Sequence, residues 1–267
     1  MKFDMKPTDR RRRILELVHT QERVTVDALA ELLDASRETV RRDLSALSEQ
    51  GLLRKVHGGA TATQVPQPVR ESPLGERRAA AREEKTCIAV AAAALFNPGD
   101  SILINCGTTT IYFATELARR GPFTVITNST LVAHEMWSSQ VRGPIHLLGG
   151  SYFGEAFELL GPQVVEQIKL VSADHAVIGV SGIGNTGTMM DFNADEAYVS
   201  RAMIESARTV TVVADSSKLQ RNALFHVCSP ERIDRLVTDR APDTTLENAL
   251  RLAGVEIIIA RPTGIDT

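Results

Sequence analysis

The chain predicts an α/β protein in two parts: an N-terminal winged helix-turn-helix domain, and a larger domain built on a mostly parallel sheet. Three observations carry this. The first sixty residues hold three amphipathic helical stretches followed by a basic, Gly-Gly-centred hairpin pattern. From Ser101 onward, short uninterrupted apolar runs alternate with helical stretches, as strands buried on both faces require. Between them lies a stretch with Pro66, Pro68 and Pro73 and no periodicity. The boundaries read as residues 1–60, a linker over 61–82, and 83–267. A 267-residue chain favours about two domains and buries a core without staples.

The elements follow in order. Arg11 to His19 reads as a helix with Ile14, Leu15 and Val18 on its apolar side. Val24-Thr25-Val26 is a short extended entry, with Thr25 the N-cap of a second helix buried through Leu29, Leu32 and Leu33. A third helix spans about Arg37 to Gln50, capped by Ser36 and closed by Gly51 at C′. Val40, Leu44 and Leu47 make its apolar stripe, and Glu38, Arg41, Arg42 and Ser45 fall on the opposite side. Leu52 to Ala60 reads as a hairpin wing carrying Arg54, Lys55 and His57. An adjacent arginine pair is most often a solvated helix face. Helix, helix-turn-helix and basic wing together point to DNA, with the third helix in the major groove. Ser36, Arg37, Thr39, Arg41, Arg42 and Ser45, with Arg54, Lys55, His57 and Gly58 of the wing, are the candidate contacts. Asp43 reads as structural, pairing with a neighbouring arginine.

Charge agrees by its distribution rather than its sum. The net charge is −3, yet residues 1–60 hold 12 Lys and Arg against 10 Asp and Glu, and the remainder 18 against 23. Cys87, Cys106 and Cys228 are far apart, with no C-x-x-C or zinc spacing, so free thiols are expected and no metal or cofactor. No apolar run is long enough for a membrane helix and no signal-peptide pattern follows the basic start, so a cytoplasmic protein is expected.

In the larger part, a helix from about Glu84 buries Ile88, Ala91, Ala92 and Leu95. Strands are expected at 102–105, 123–127, 145–148, 176–180, 210–214, 235–238 and 255–259, with helices at 109–120, 129–141 and 195–207. In such sheets ligands bind beyond the carboxyl ends of the strands. There the first strand runs through Asn105-Cys106-Gly107-Thr108-Thr109-Thr110 straight into a helix. Threonine hydroxyls and free N–H groups at a helix start make an anion or phosphate cradle, although a plain Thr-capped helix has the same residues. No Walker or dinucleotide pattern accompanies it. Thr127-Asn128, Gly149-Gly150, Asp191, Glu196 and Lys218 stand at other strand ends, each with a local structural alternative such as a cap, a turn or favourable charge at a helix start.

Ser36-x-x-Thr39-Val40-Arg41-Arg42-Asp43-Leu44, Gly51 and Leu53-x-x-Val56-His57-Gly58-Gly59-Ala60 resemble the N-terminal signature of DeoR-family bacterial transcriptional regulators. Gly107-Thr108-Thr109-Thr110, Thr127-Asn128-Ser129, Leu148-Gly149-Gly150, Gly179-x-Ser181-Gly182, Glu196 with Ala202-Met203, and Ala214-Asp215-Ser216-Ser217-Lys218 resemble that family's sensor domain. The resemblance implies a sensor fold similar to ribose-5-phosphate isomerase and the CoA transferases, and a sugar phosphate or related metabolite as effector. It departs at Asn105, where aspartate is usual, at Ser200, where lysine is common, and at Gln220, where glycine often follows Lys218. The function expected is therefore a repressor of a carbohydrate-metabolism operon that binds operator DNA as a homodimer or homotetramer and is released by a phosphorylated sugar. The alternative is a sugar-phosphate isomerase-like enzyme with an accessory DNA-binding module.

Overall fold

The computed structural model describes residues 10, 11, 13, 14, 17, 18, 23–33, 35–49, 53–56, 58–62, 73–139 and 143–261, with the backbone alone at Arg23, Glu49, Arg54, Thr61 and Ala62. Its contacts divide the chain into two units, Met1–Gln67 and Pro68–Thr267.

In the first unit, helical residues between 10 and 18 precede β1 (Arg23–Thr25), α1 (Val26–Leu32), α2 (Arg37–Glu49), β2 (Leu53–Val56) and β3 (Gly59–Ala62). Thr25 caps α1 through its hydroxyl, which accepts from the Ala28 N–H. Ser36 caps α2 by accepting from the Thr39 N–H at 3.1 Å. Val40, Leu44 and Leu47 are buried with Ile14, Val18, Leu29 and Leu33 in one core. Leu32, expected inside, is 62% exposed: Val26, Leu29 and Leu33, spaced three and four apart, make the buried side of α1, and Leu32 falls beside it. The wing is a three-stranded antiparallel sheet in the order β1-β3-β2. Gly58 has φ +78 at the turn, and Gly59 lies so close to β1 that a Cβ there would sit 2.0 Å from the Val24 carbonyl oxygen. Gly51, His57 and the Arg54 side chain lie outside the described residues.

The second unit opens with α3 (Leu74–Ala79), in the stretch read as linker, followed by α4 (Arg82–Ala93). Six residues are too few for a readable period, and α3 is held by the burial of Leu74 and by the Tyr112 hydroxyl donating to the Arg78 carbonyl. The chain continues through β4 (Ser101–Ile104), α5 (Thr108–Leu117), β5 (Thr124–Thr127), α6 (Thr130–Trp137), β6 (Ile145–Leu147), β7 (Ser151–Phe153), β8 (Glu158–Leu160) and α7 (Pro162–Lys169). Then come β9 (Ala173–Gly179), β10 (Gly182–Ile183), β11 (Met189–Asp191), α8 (Ala194–Glu205), β12 (Ala207–Val213), β13 (Phe225–Cys228), β14 (Arg235–Thr238), α9 (Thr244–Leu252) and β15 (Glu256–Ile259). Seven strands form one parallel sheet, ordered β15-β14-β12-β9-β4-β5-β6.

Side chains alternate across this sheet as the pleat demands. Leu103, Ala176, Ile178, Val212 and Leu236 pack with α7, α8 and α9, whereas Ile102, Ile104, Val177, Val213 and Val237 pack with α4, α5 and α6. The result is a sheet covered on both faces. The antiparallel hairpin β7–β8 and the small sheet β10-β11-β13 stand beside the main sheet's order. Because β5 and β6 lie on one side of β4, and β9, β12, β14 and β15 on the other, the strand order reverses between β4 and β9.

Gln220 has φ +57, a left-handed conformation that glycine adopts without cost, and its side chain donates to Asp243 Oδ2 at 2.5 Å. The backbone strain of about 1 kcal/mol exceeds the value of an exposed hydrogen bond. Gln220→Gly is expected to raise stability by roughly 0.5 kcal/mol in urea unfolding; a loss would show that the Asp243 bond dominates.

Candidate functional site

The basic face of α2 follows from its cap and its stripe. With Val40, Leu44 and Leu47 inward, Arg37, Arg41 and Arg42 are exposed, as are Ser36, Lys55 and Gly58, and Thr39 and Ser45 are partly covered. Several of these groups hold one another. The Ser36 and Thr39 hydroxyls are 2.8 Å apart, the Ser45 hydroxyl donates to the Arg41 carbonyl, and Lys55 Nζ donates to Ser45 Oγ. Arg37 pairs with Asp27 at 2.7 Å, both well exposed, and such a surface pair is worth under about 1 kcal/mol. Asp43 is buried and accepts from Arg10 at 2.6 Å and Arg11 at 2.8 Å, so part of the N-terminal basic run serves packing.

The second site is a cleft of about 30 Å³ at the strand-order reversal. It is lined by Cys106, Gly107, Thr108 and Thr109 after β4, by Gly179, Val180 and Ser181 after β9, by Asp191, Glu196 and Lys218, and by Arg77 from α3. Gly107 and Gly179 face one another across the cleft's floor; a Cβ on Gly107 would approach Thr110 Oγ1 to 3.2 Å and stand 3.9 Å from Gly179 Cα. One end of the cleft offers the start of α5 and two cations; Asp191 and Glu196 supply carboxylates. Ser181 donates to Asp191 Oδ1 at 2.9 Å. Among the described residues no cluster of His, Cys, Asp and Glu could hold a metal ion.

Seven of the thirteen residues read as effector contacts from the sequence line this cleft: Cys106, Gly107, Thr108, Thr109, Asp191, Glu196 and Lys218. The other six do not line it. Asn105 donates to the Gly179 carbonyl and to Ser200 Oγ, both at 2.9 Å, and accepts from the Gly179 N–H at 2.8 Å, clamping β4 to β9. The Thr110 hydroxyl turns back to the Asn105 and Gly107 carbonyls, and Thr127 Oγ1 accepts from the Ser129 N–H. Asn128 donates to Glu158 Oε2 and the Leu159 carbonyl. Gln167 clasps Gly149 through both its amide atoms, and Gly150 is pressed against Leu160 and Val164.

Arg77, Gly179, Val180 and Ser181 are cleft residues that the polar strand-end reading did not select, and the Gly179-x-Ser181-Gly182 pattern was the available signal for three of them. Glu158 is another group with no sequence signal. It is buried with Oε1 unpartnered, as is Asn128 Oδ1. Burial pushes its carboxyl up to about 7; the Asn128 amide opposes this, Asp191 adds to it, and Glu196 and Arg77 oppose it. Burial, with Glu158 nearby, also raises the Cys106 thiol well above its ordinary value, so this thiol is not a poised nucleophile. Its Sγ instead donates to the Ala156 carbonyl.

Comparison with known proteins places the chain in a family. Residues 10–65 match the DeoR-like helix-turn-helix domain and residues 80–240 the DeoR C terminal sensor domain. The chain is 33% identical over 246 residues to the HTH-type transcriptional repressor CsqR of Escherichia coli (strain K12), covering 92% of this chain and 93% of that protein. It is 32% identical to the glycerol-3-phosphate regulon repressor of the same organism, covering 92% and 96%. It is 34% identical to the HTH-type transcriptional repressor GlcR of Bacillus subtilis (strain 168), covering 92% and 93%. Among solved structures, ribose 5-phosphate isomerase A from Methanocaldococcus jannaschii overlaps 51% of this chain and 53% of its own at 17% identity, with a TM-score of 0.37. The family assignment rests on the sequence matches alone.

The raised carboxyl of Glu158 has a thermodynamic consequence. Between its ordinary value of 4.5 and about 7, the folded protein keeps a proton that the unfolded chain has lost. This group therefore makes stability fall as pH rises through that window and contributes no further change above it. Glu158→Gln is expected to remove that fall; urea unfolding at pH 5, 6, 7 and 8 checks it, and a pH dependence identical to the parent's would reject the assignment.

Proposed function

The chain belongs to the DeoR family of DNA-binding transcriptional repressors, a regulator and not an enzyme, and from that premise we propose how its two units divide the work. The isomerase-like alternative is set aside because both matched families are regulatory. In the first unit, α2 enters the major groove. Arg41 and Arg42 contact phosphates or base edges, supported by Arg37, Ser36, Thr39 and Ser45, and the wing's Arg54, Lys55, His57 and Gly58 track the backbone. The Arg37–Asp27 pair is weak enough to yield to a phosphate. In the second unit, the cleft takes a phosphorylated sugar or a related metabolite. One observation carries this reading: the free N–H groups at the start of α5, the Thr108 and Thr109 hydroxyls, Arg77 and Lys218 line the same cleft. Asp191 and Glu196 suit the hydroxyls of the sugar.

The size of the cleft suggests how the signal arises. The part of the cleft that excludes bulk solvent is only about 30 Å³, room for roughly two waters, so seating a whole phosphosugar is read as coupled to movement of the walls. The effector then has unequal affinity for the open and closed forms, as any switch by population shift requires. Acting in the cytoplasm as a homodimer or homotetramer on paired half-sites, the protein represses a carbohydrate operon until the effector favours the form with weaker operator affinity.

Arg41→Ala with Arg42→Ala is expected to weaken operator binding and to lower its salt slope by about two; a mobility shift unchanged at 50 and 200 mM salt would refute the role of α2. Thr109→Ala and Lys218→Ala are expected to keep operator binding while the concentration of sugar phosphate needed for release rises about tenfold each, as one lost charge-assisted hydrogen bond gives. Release at the parent's concentration in both would remove the cleft from the effector site.

A further inference from the structure

Lys85 is a lysine on an apolar stripe. On α4 it shares the inward face with Ile88, Ala89 and Ala92, and it is 3% exposed. A hydrophobe would fit that stripe with no desolvation penalty, so the charge calls for a reason. Its Nζ donates to two carbonyl oxygens and lies within ion-pair reach of one carboxylate. It donates to the Arg77 carbonyl at 2.5 Å and to the Ala80 carbonyl at 2.6 Å, and it lies 3.9 Å from Asp215 Oδ2. Two of these oxygens belong to the end of α3, which turns at Ala81 in a left-handed conformation, φ +51.

The third oxygen leads to the other side of the cleft. Asp215 is buried, and its Oδ1 accepts from the N–H and hydroxyl of Ser217. Its carbonyl accepts from the Lys218 N–H at 2.9 Å. Asp239 holds the same turn through the Ser216 N–H and hydroxyl. Lys85 thus has one hand on the segment that carries Arg77 and the other on the turn that carries Lys218, and both of those cations line the cleft. Burial lowers the Lys85 ammonium from its ordinary value; Asp215 opposes this, and Lys218 and Arg77 act as like charges close by. Three cations of one sign are gathered here, and the buried one fastens the elements bearing the other two.

We propose that Lys85 is the positioning residue that sets the spacing of Arg77 and Lys218, and through it the anion affinity of the cleft. It touches no ligand itself. This rests on the reading of the cleft as a phosphate site and adds the residue that makes it one. A lysine kept only to tie the core would lower stability by the same amount whether or not Arg77 and Lys218 were present, and would leave phosphate affinity alone.

The test is a mutant cycle on the full chain, with inorganic phosphate and a hexose phosphate as probes in calorimetric titration. Lys85→Met is expected to weaken phosphate binding about tenfold in the parent chain. Added to Arg77→Ala with Lys218→Ala, it is expected to change affinity by less than about twofold, because nothing remains to be positioned. Lys85→Gln keeps a donor for the two carbonyls and serves the same cycle where the methionine variant fails to fold. Phosphate binding that neither variant alters, or an equal loss with and without Arg77 and Lys218, overturns the role of Lys85 alone. A parent chain that binds neither probe overturns the anion reading of the cleft, and this proposal with it.

Discussion

The parallel pairing of β4 with β9 is the constraint on which the second unit depends. Ile102, Leu103 and Ile104 stand against His175, Ala176 and Val177, and beyond the last pair the two strands would separate. Asn105 prevents this by donating to the Gly179 carbonyl and accepting from its N–H. The clamp brings Gly107 close to Gly179. Because the strand order reverses here, α5 and the loop after β9 leave in opposite senses, and a crevice opens between them. The N–H groups at the start of α5 therefore face a cleft and not a neighbouring helix.

A similar economy governs the cations. Arg10 and Arg11 lie on Asp43 and join the first helical stretch to α2, while Arg41 and Arg42 on the same helix remain exposed. A buried carboxylate with two guanidinium partners adds an oriented tie to the apolar stripe that packs α2 into the core. In the second unit Lys85 is buried in the fold, while Arg77 and Lys218 line the cleft. In the first unit the buried Asp43 shares a helix with the exposed Arg41 and Arg42; in the second, Lys85 reaches from α4 to the separate segments that bear Arg77 and Lys218.

Much of this was legible in the sequence because it is written in local chemistry. Ser36 and Thr25 cap the helices they precede, Asp43 pairs with arginine, and the apolar runs at 102–104, 176–178 and 210–213 are central strands. Where the reading fell short, the deciding contacts are distant in sequence or the element is too short to repeat. Asn105, Thr110, Thr127 and Asn128 have the right chemistry at the right strand ends, yet partners such as Gly179 and Glu158 already occupy their side chains. Arg77 sits on a six-residue helix among prolines, where no periodicity can develop. Lys85 was within reach, since its spacing from Ile88, Ala89 and Ala92 places it on the buried face; what the spacing could not show was the trio of oxygens waiting there.

The three departures from the family's pattern become physically intelligible once the contacts are known. Gln220 occupies a left-handed turn, which is why glycine is usual there, and its bond to Asp243 offsets part of the strain. Asn105 and Ser200 are not independent. They are 95 residues apart in sequence, both buried, and joined by a 2.9 Å hydrogen bond. An aspartate at 105 with a lysine at 200, the residues the resemblance implies, would make this an ionic pair; here it is neutral. A lone aspartate at 105 would set a buried carboxylate against the Gly179 carbonyl with no cation to balance it, and a lone lysine at 200 would bury a charge without its counter-ion. The two exchanges make sense only together, and together they keep the β4–β9 clamp while removing two charges from behind the cleft. The field there is then set by Arg77, Lys85 and Lys218 against Asp191, Glu196 and Asp215, with Glu158 adding its charge only as pH rises past about 7.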